Sequence, residues 1–311
     1  VYSIADSNYN RKDMIRQGYD KVDVMPVQVS LNRFDDLEIV KEIKEKYQSS
    51  TNILFVGRVV QNKCQDDLIK CFSLYAKYFD ADSHLFLAGD LGMEGYVAQL
   101  KELCREREVE DKVLFLGKVS ERELKTYYEL ADIFLSMSEH EGFGVPLLEA
   151  MKAGVPVVAY SSSAIPETMG GAGILLSQKN YTVTAGLIHE LISDKGLYEK
   201  IKSKQFERIE KLKQTDTEQI LKRIIKNVED GNRKQEIQIQ GPFETSYSLA
   251  QVNRRLAEAL DDLGENSVSI YCTEGPGDYE PKKEDLRDKE HAKNLWLKSK
   301  QVTYPDVTIR N

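Results

Sequence analysis

Long apolar runs are missing from this 311-residue sequence. No stretch approaches the roughly 18 residues of a membrane span, and the first residues lack the charged-then-apolar layout of a signal peptide. Cysteine is scarce as well. The four cysteines (Cys64, Cys71, Cys104, Cys272) form no C-x-x-C pair and no zinc-like spacing with histidine. That speaks against a disulfide framework or a structural metal and predicts a reducing, cytoplasmic setting. Basic excess is absent too: 43 Lys+Arg against 51 Asp+Glu leave a formal net charge of −8. Broad electrostatic holding of nucleic acid needs the opposite balance, so an anionic ligand must be met by locally placed cations. With only 8 prolines and 19 glycines beside 41% hydrophobic residues, the composition is that of a globular chain of roughly two domains. Val1 rather than Met at the start predicts an excised piece of a longer protein.

From residue 52 onward, short apolar runs alternate with longer amphipathic stretches, the pattern of βα units on a parallel sheet. Strands are expected at 52–57, 84–89, 113–117, 132–136 and 156–159, and their unbroken apolar character suits burial on both faces. Helices are expected at 66–79, 94–107, 121–130 and 145–153, the last closed by Gly154. The fold class is therefore α/β, a doubly wound parallel sheet, over about half of the chain. Residues 1–50 are polar, with a lone strand signal at Val22-Asp-Val-Met-Pro26 and a charged helical stretch. Residues 179–235 read as a helical extension and linker, with a boundary near Gly231. Residues 236–311 open as a βαβ unit: strand 236–240, loop 241–246, helix 249–263, strand 267–271. From 275 onward the pattern assigns no structure.

The most informative stretch is Glu139-His-Glu-Gly-Phe-Gly-Val-Pro-Leu-Leu-Glu149, which follows a strand and opens a helix. Pro146 suits the first turn, where its missing N–H costs nothing. Gly142 and Gly144 let a ligand approach the backbone, and the helix start suits a phosphate. Glu149, about one turn into the helix, can accept from two vicinal hydroxyls such as those of a ribose. Glu141 faces the same crevice. The plain alternative is a strand-turn-helix with two solvated glutamates. A second stretch, Gly57-Arg58-Val-Val-Gln-Asn-Lys63, lies at a strand's carboxyl end, where open α/β sheets bind ligands. Arg58 as a planar fork and Lys63 as a point charge could reach one diphosphate and offset charge on a leaving phosphate. Surface solvation is the commoner fate of such side chains. The other histidines, the serine run 161–163 and the Gly142 to Leu147 stretch, whose last glycine is missing from a dinucleotide fingerprint, support no further chemistry.

Gly57-Arg58 with Lys63, Gly89-Asp90, Phe115-Leu-Gly117, Ala131-Asp132, the Glu141 and Glu149 pair, and Ile165-Pro-Glu167 resemble, in order and spacing, the family-four retaining glycosyltransferases (glycosyl transferases group 1). These are two-domain GT-B enzymes, and the resemblance, over about 52–176, is to their C-terminal donor-binding half. It implies that Arg58 and Lys63 hold the donor diphosphate and that Glu149 meets the nucleotide ribose. It further implies that Glu141 lies near the transferred sugar, that Phe143, Gly144 and Val145 present backbone to sugar and phosphate, and that Gly117, Lys118 and Val119 lie beside the nucleobase. Neither metal nor cofactor is implied, only a nucleotide-diphosphate sugar, GDP- or UDP-linked, and a glycan or lipid-linked acceptor. A lipid-linked acceptor leaves room for peripheral membrane association of the full-length protein.

The ends resemble parts of the same family. Ala5 to Met14 with Val24-Met-Pro26 is similar to the close of an N-terminal domain and its hinge, and Gly241 to Leu249 to the opening of another. The expected division is therefore 1–50, end of an N-terminal GT-B domain and hinge; 51–178, donor-binding domain; 179–235, helical extension; and 236–311, partial start of a second tandem unit. The implied activity is retaining hexosyl transfer in polysaccharide biosynthesis, with mannose a candidate sugar and the fragment alone inactive. Two alternatives stay open: a noncatalytic nucleotide-sugar-binding or scaffolding module, and a nicotinamide-dependent oxidoreductase, which the broken glycine fingerprint disfavours.

Overall fold

The structure, a computed structural model, describes residues 2–27, 29–92, 94–228, 236–241, 248–264, 266–272 and 289–310. The chain opens with β1 (Tyr2–Ala5) and β2 (Lys21–Val24). It continues through β3 (Thr51–Val56), β4 (Ser83–Ala88), β5 (Val113–Gly117), β6 (Ile133–Ser136), β7 (Val157–Tyr160) and β8 (Ile174–Leu176). It closes with β9 (Glu236–Gln240), β10 (Ser267–Tyr271) and β11 (Val307–Arg310). Two compact units result, residues 31–214 and residues 1–30 together with 215–311.

The 31–214 unit holds a six-stranded parallel sheet in the order β5-β4-β3-β6-β7-β8. Its central strands are apolar at consecutive positions because helices cover both faces: Ile53, Leu54 and Phe55, Leu85, Phe86 and Leu87, and Ile133, Phe134 and Leu135 are all buried. Helix Gln65–Tyr78 presents Leu68, Ile69, Phe72 and Tyr75, the 3–4-residue spacing of one apolar stripe, to that core. Helix Glu121–Leu130 starts on a reciprocal cap, the Ser120 hydroxyl accepting from Glu123 N and the Glu123 carboxylate from Ser120 N at 2.7 Å. From β3 the chain progresses to β4 and β5 on one side, then returns to β6 on the other. The two neighbours β3 and β6 therefore send their following loops apart, and a crevice opens at their carboxyl ends.

The other unit differs from the composition-based division. Its five parallel strands run β10-β9-β11-β1-β2, so the first and last segments of the chain lie in one sheet. Tyr2 pairs with Val307 and Ile4 with Ile309. Ile4, Ile237, Ile239, Val268, Ile270, Val307 and Ile309 share one core with Leu221 and Ile224 of helix Thr217–Val228. Residues 31–50 and 179–214 fall with the six-stranded sheet. Composition misses β1, β8 and β11 because strands of three or four residues carry too little alternation to read. Helix Glu290–Ser299, in the stretch left unassigned, hides its Ala292 and Leu295 among charges. The expected boundary at 231–235 and most of the loop at 241–246 lie outside the described residues.

Gly89, just past β4, tightens the 31–214 sheet at its carboxyl edge. Its φ of +146° is one that L side chains rarely adopt, and a Cβ there would lie 2.0 Å from the Gly57 carbonyl oxygen. Gly89→Ala should therefore cost about 2–4 kcal/mol, strain and backbone collision combined. A urea melt showing a midpoint unchanged from wild type would contradict this.

Candidate functional site

Two loops meet at the crevice between β3 and β6. The first leaves β3 through Gly57 and Arg58, forms a short 3-10 turn at Gln61–Lys63, and passes Cys64 in a left-handed conformation (φ 51°) before helix Gln65–Tyr78. Gln65 donates to the Arg58 carbonyl at 2.8 Å, so the helix start fixes the backbone that carries this cation. The second loop, 137–144, leaves β6 and enters helix Val145–Lys152 at Gly144, with Pro146 in the first turn as its lack of an N–H predicts. Gly144 has φ +82°, the left-handed region that favours glycine.

The loops are tied to each other. Glu139 N donates to the Asn62 carbonyl at 2.9 Å. Lys63 Nζ lies 2.7 Å from Glu141 Oε2 and donates to the His140 carbonyl at 2.9 Å, with less than a fifth of either charged side chain exposed. Lys63 and Glu141, placed separately in the sequence reading on diphosphate and sugar, thus form one ion pair. Ser163 sets the height of Glu141: its hydroxyl accepts from Glu141 N at 2.7 Å. The Phe143 carbonyl accepts a short hydrogen bond from the Thr168 hydroxyl, and the Phe143 and Val145 side chains are buried. These two contacts fix the loop backbone at Glu141 and Phe143.

Glu149 is placed differently from the expectation of an open carboxylate. It is 3% exposed, and both of its oxygens are engaged, Oε1 with Arg33 Nη2 at 3.2 Å and Oε2 by the Tyr128 hydroxyl at 2.9 Å. Burial pushes the Tyr128 phenol well above its ordinary range, so it stays a donor. Arg33 stacks on Phe34, 4.3 Å from the ring centroid. The sequence reading missed Arg33 and Tyr128 because neither lies near Glu149 along the chain. The Arg-Phe pair before a charged helix was the available signal.

Gly117 ends β5, two strands from β3, and Lys118 and Val119 follow it. The Gly117 carbonyl accepts from Gly89 N at 2.9 Å, and Lys118 pairs with Asp90 at 3.0 Å. The structure thus brings Gly57, Arg58, Lys63, Glu141, Phe143, Gly144 and Val145 to the ends of adjacent strands, sets Gly117 to Val119 at the flank, and holds Glu149 in the wall behind.

Two parallel sheets with interleaved helices define an α/β fold of GT-B type. The family described as Glycosyl transferases group 1 matches residues 37–208, and the chain belongs to it. It is 36% identical over 151 residues to an uncharacterized glycosyltransferase of Methanocaldococcus jannaschii, covering 48% of this chain and 37% of that one. It is 27% identical over 186 residues to a GDP-mannose-dependent alpha-(1-6)-phosphatidylinositol monomannoside mannosyltransferase of Mycobacterium tuberculosis, covering 56% and 47%. It is 30% identical over 154 residues to the O-antigen chain mannosyltransferase B of Escherichia coli, covering 49% and 40%. The chain spans less than half the length of these relatives. Among solved structures, Anabaena HepE in complex with UDP and glucose superposes with a TM-score of 0.60 at 22% identity, covering 73% of this chain and 62% of that one. Among the described residues no helix is long and apolar enough to cross a membrane.

The Lys63–Glu141 pair makes a definite prediction about anions. A carboxylate 2.7 Å away competes with any phosphate for Lys63. Glu141→Gln should accordingly tighten pyrophosphate binding by about threefold to tenfold, as removal of a nearby like charge does. Calorimetric titration reads this directly, and unchanged or weaker binding would show that Lys63 does not meet the anion.

Proposed function

We propose that the 31–214 unit holds a nucleoside-diphosphate sugar, GDP- or UDP-linked, and serves retaining hexosyl transfer to a glycan or lipid-linked saccharide in polysaccharide biosynthesis. One observation carries this reading: Lys63 and Glu141 arrive from different strands and face each other at the topological switch point, with the Arg58 loop alongside. The chemistry follows from their types. The bond from the anomeric carbon to the diphosphate oxygen breaks, a bond to the oxygen of an acceptor hydroxyl forms, the hydroxyl's proton passes to the departing phosphate oxygen, and the nucleoside diphosphate carries the remaining negative charge. Arg58 and Lys63 stabilise that charge where it grows. Glu141, released as Lys63 turns to phosphate, is a hydrogen-bond acceptor for the sugar.

Mannose is supported by the names of two relatives, both mannosyltransferases, one of them GDP-mannose-dependent. A uridine donor is supported by the fold neighbour solved with UDP and glucose. Residues 236–311 resemble the opening of such a unit and the first residues the close of one, and the two segments lie in one five-stranded sheet. Reading the ends this way rests on resemblance alone. On that reading the chain binds donor without transferring sugar, because reaction needs donor and acceptor held against each other.

A second reading, a noncatalytic nucleotide-sugar-binding or scaffolding module, is favoured by one feature: Lys63 and Glu149 are already satisfied by the protein's own Glu141, Arg33 and Tyr128.

Calorimetry against GDP, UDP, ADP and NAD, each paired with its nucleoside, tests the donor assignment. Arg58→Ala and Lys63→Ala should each weaken nucleoside-diphosphate binding by about 1.5–3 kcal/mol, the range for charged hydrogen bonds, and leave nucleoside binding unchanged. Equal losses for nucleoside and diphosphate, or preference for NAD, would sink it.

A further inference from the structure

Behind the crevice, on the side away from Lys63 and Glu141 in sequence, a third loop carries Lys179. It follows β8 and precedes helix Tyr181–Ser193, so it too sits at the carboxyl edge of the sheet. Its ammonium makes two ionic hydrogen bonds, to Asp67 Oδ2 at 2.8 Å and to Glu139 Oε1 at 2.9 Å. It also lies 5.0 Å from the centroid of the Tyr160 ring. Only 15% of the Lys179 side chain and 10% of Asp67 is exposed. Asp67 is held further by the Tyr181 hydroxyl at 2.6 Å and by Lys70 at 3.3 Å. Burial disfavours charge on Lys179, but its bonds to Asp67 and Glu139 outweigh that cost and raise its pKa above the ordinary lysine range. It is a fixed cation.

The two carboxylates belong to different loops. Asp67 lies in the first turn of the helix that follows Lys63, and Glu139 stands two residues before Glu141. Asn62 and Glu139 are joined by a backbone bond and Lys63 reaches Glu141 and the His140 carbonyl, so Lys179, which ties Glu139 to the first turn of helix Gln65–Tyr78, is a further link between the two segments. We infer that Lys179 is a positioning residue that sets the separation of the Lys63 and Glu141 loops, and so fixes where the diphosphate of a bound donor is gripped. The inference rests on the donor-site reading above. A lysine reaching across two loops can do this because both its bonds are charge-assisted and one partner is buried, which restricts the geometry more than an exposed pair would. Displacement of a gripping group by an ångström is enough to lose much of its effect.

The experiment is calorimetry on the full chain with UDP and GDP, and with uridine and guanosine as controls. The variants are Lys179→Met, Lys179→Arg, Glu139→Gln and the Lys179→Met/Glu139→Gln double. Lys179→Met should raise the diphosphate Kd about tenfold, the scale of one charged hydrogen bond, and leave the nucleoside Kd within about twofold. Lys179→Arg should restore diphosphate affinity to within about threefold of wild type, since arginine can meet both carboxylates. Glu139→Gln, at an exposed carboxylate, should weaken diphosphate binding alone and add nothing in the double variant. Should Lys179→Met not fold, Glu139→Gln carries the same test. Parallel loss of nucleoside and diphosphate binding, or no loss in Lys179→Met or Glu139→Gln, overturns the positioning role and leaves the donor site standing. A wild-type chain that binds neither diphosphate overturns the donor site, and the positioning role falls with it.

Discussion

A doubly wound sheet has to part its loops somewhere, and here that parting falls between β3 and β6. Everything functional in the 31–214 unit is a response to it. The gap admits a ligand, yet it also deprives the two loops of strand pairing, so their backbone groups need other partners. Glu139 N finds the Asn62 carbonyl, Glu141 N the Ser163 hydroxyl, and the Phe143 carbonyl the Thr168 hydroxyl. Each of these bonds satisfies a backbone group and at the same moment fixes a loop residue at the strand ends.

Charge follows the same economy. The chain is acidic overall, and several of its cations near the sheet's carboxyl edge are ion-paired: Lys63 with Glu141, Lys118 with Asp90, Arg33 with Glu149, Lys179 with Asp67 and Glu139. Pairing offsets part of the cost of taking these charges out of water. On the donor-site proposal, a phosphate would replace the carboxylate at Lys63 and leave Glu141 to accept from hydroxyls.

Much of the 31–214 fold is readable along the chain because β3 through β7 are short, nearly unbroken apolar runs separated by amphipathic helices. The loop residues were readable too: Arg58, Lys63, Glu141 and Gly144 are local to strand ends, and strand ends are where such a sheet binds. What could not be read was set by distance. The Arg33 contact with Glu149 joins residues more than a hundred positions apart, and Lys179 reaches equally far back to Asp67. The five-stranded sheet is the extreme case, since nothing near Tyr2 announces that its partner is Val307. Helical and strand periodicity describe each element's own faces but not which remote element covers them.

That last pairing has a consequence for how the chain comes into being. Read by order of synthesis, residues 31–214 are an insertion between β2 and the helix that begins at Thr217, and β1 must wait for β11 before its sheet is whole. At about 5–20 residues per second on the ribosome, the interval between making Tyr2 and making Val307 is on the order of 15–60 s. Until then β1 lacks the strand that covers its Tyr2–Ile4 edge, and an unpaired edge is one that another extended chain can add to. The six-stranded unit, by contrast, has all of its strands once Leu176 has emerged. Its strands can therefore pair before those of the five-stranded sheet are all present.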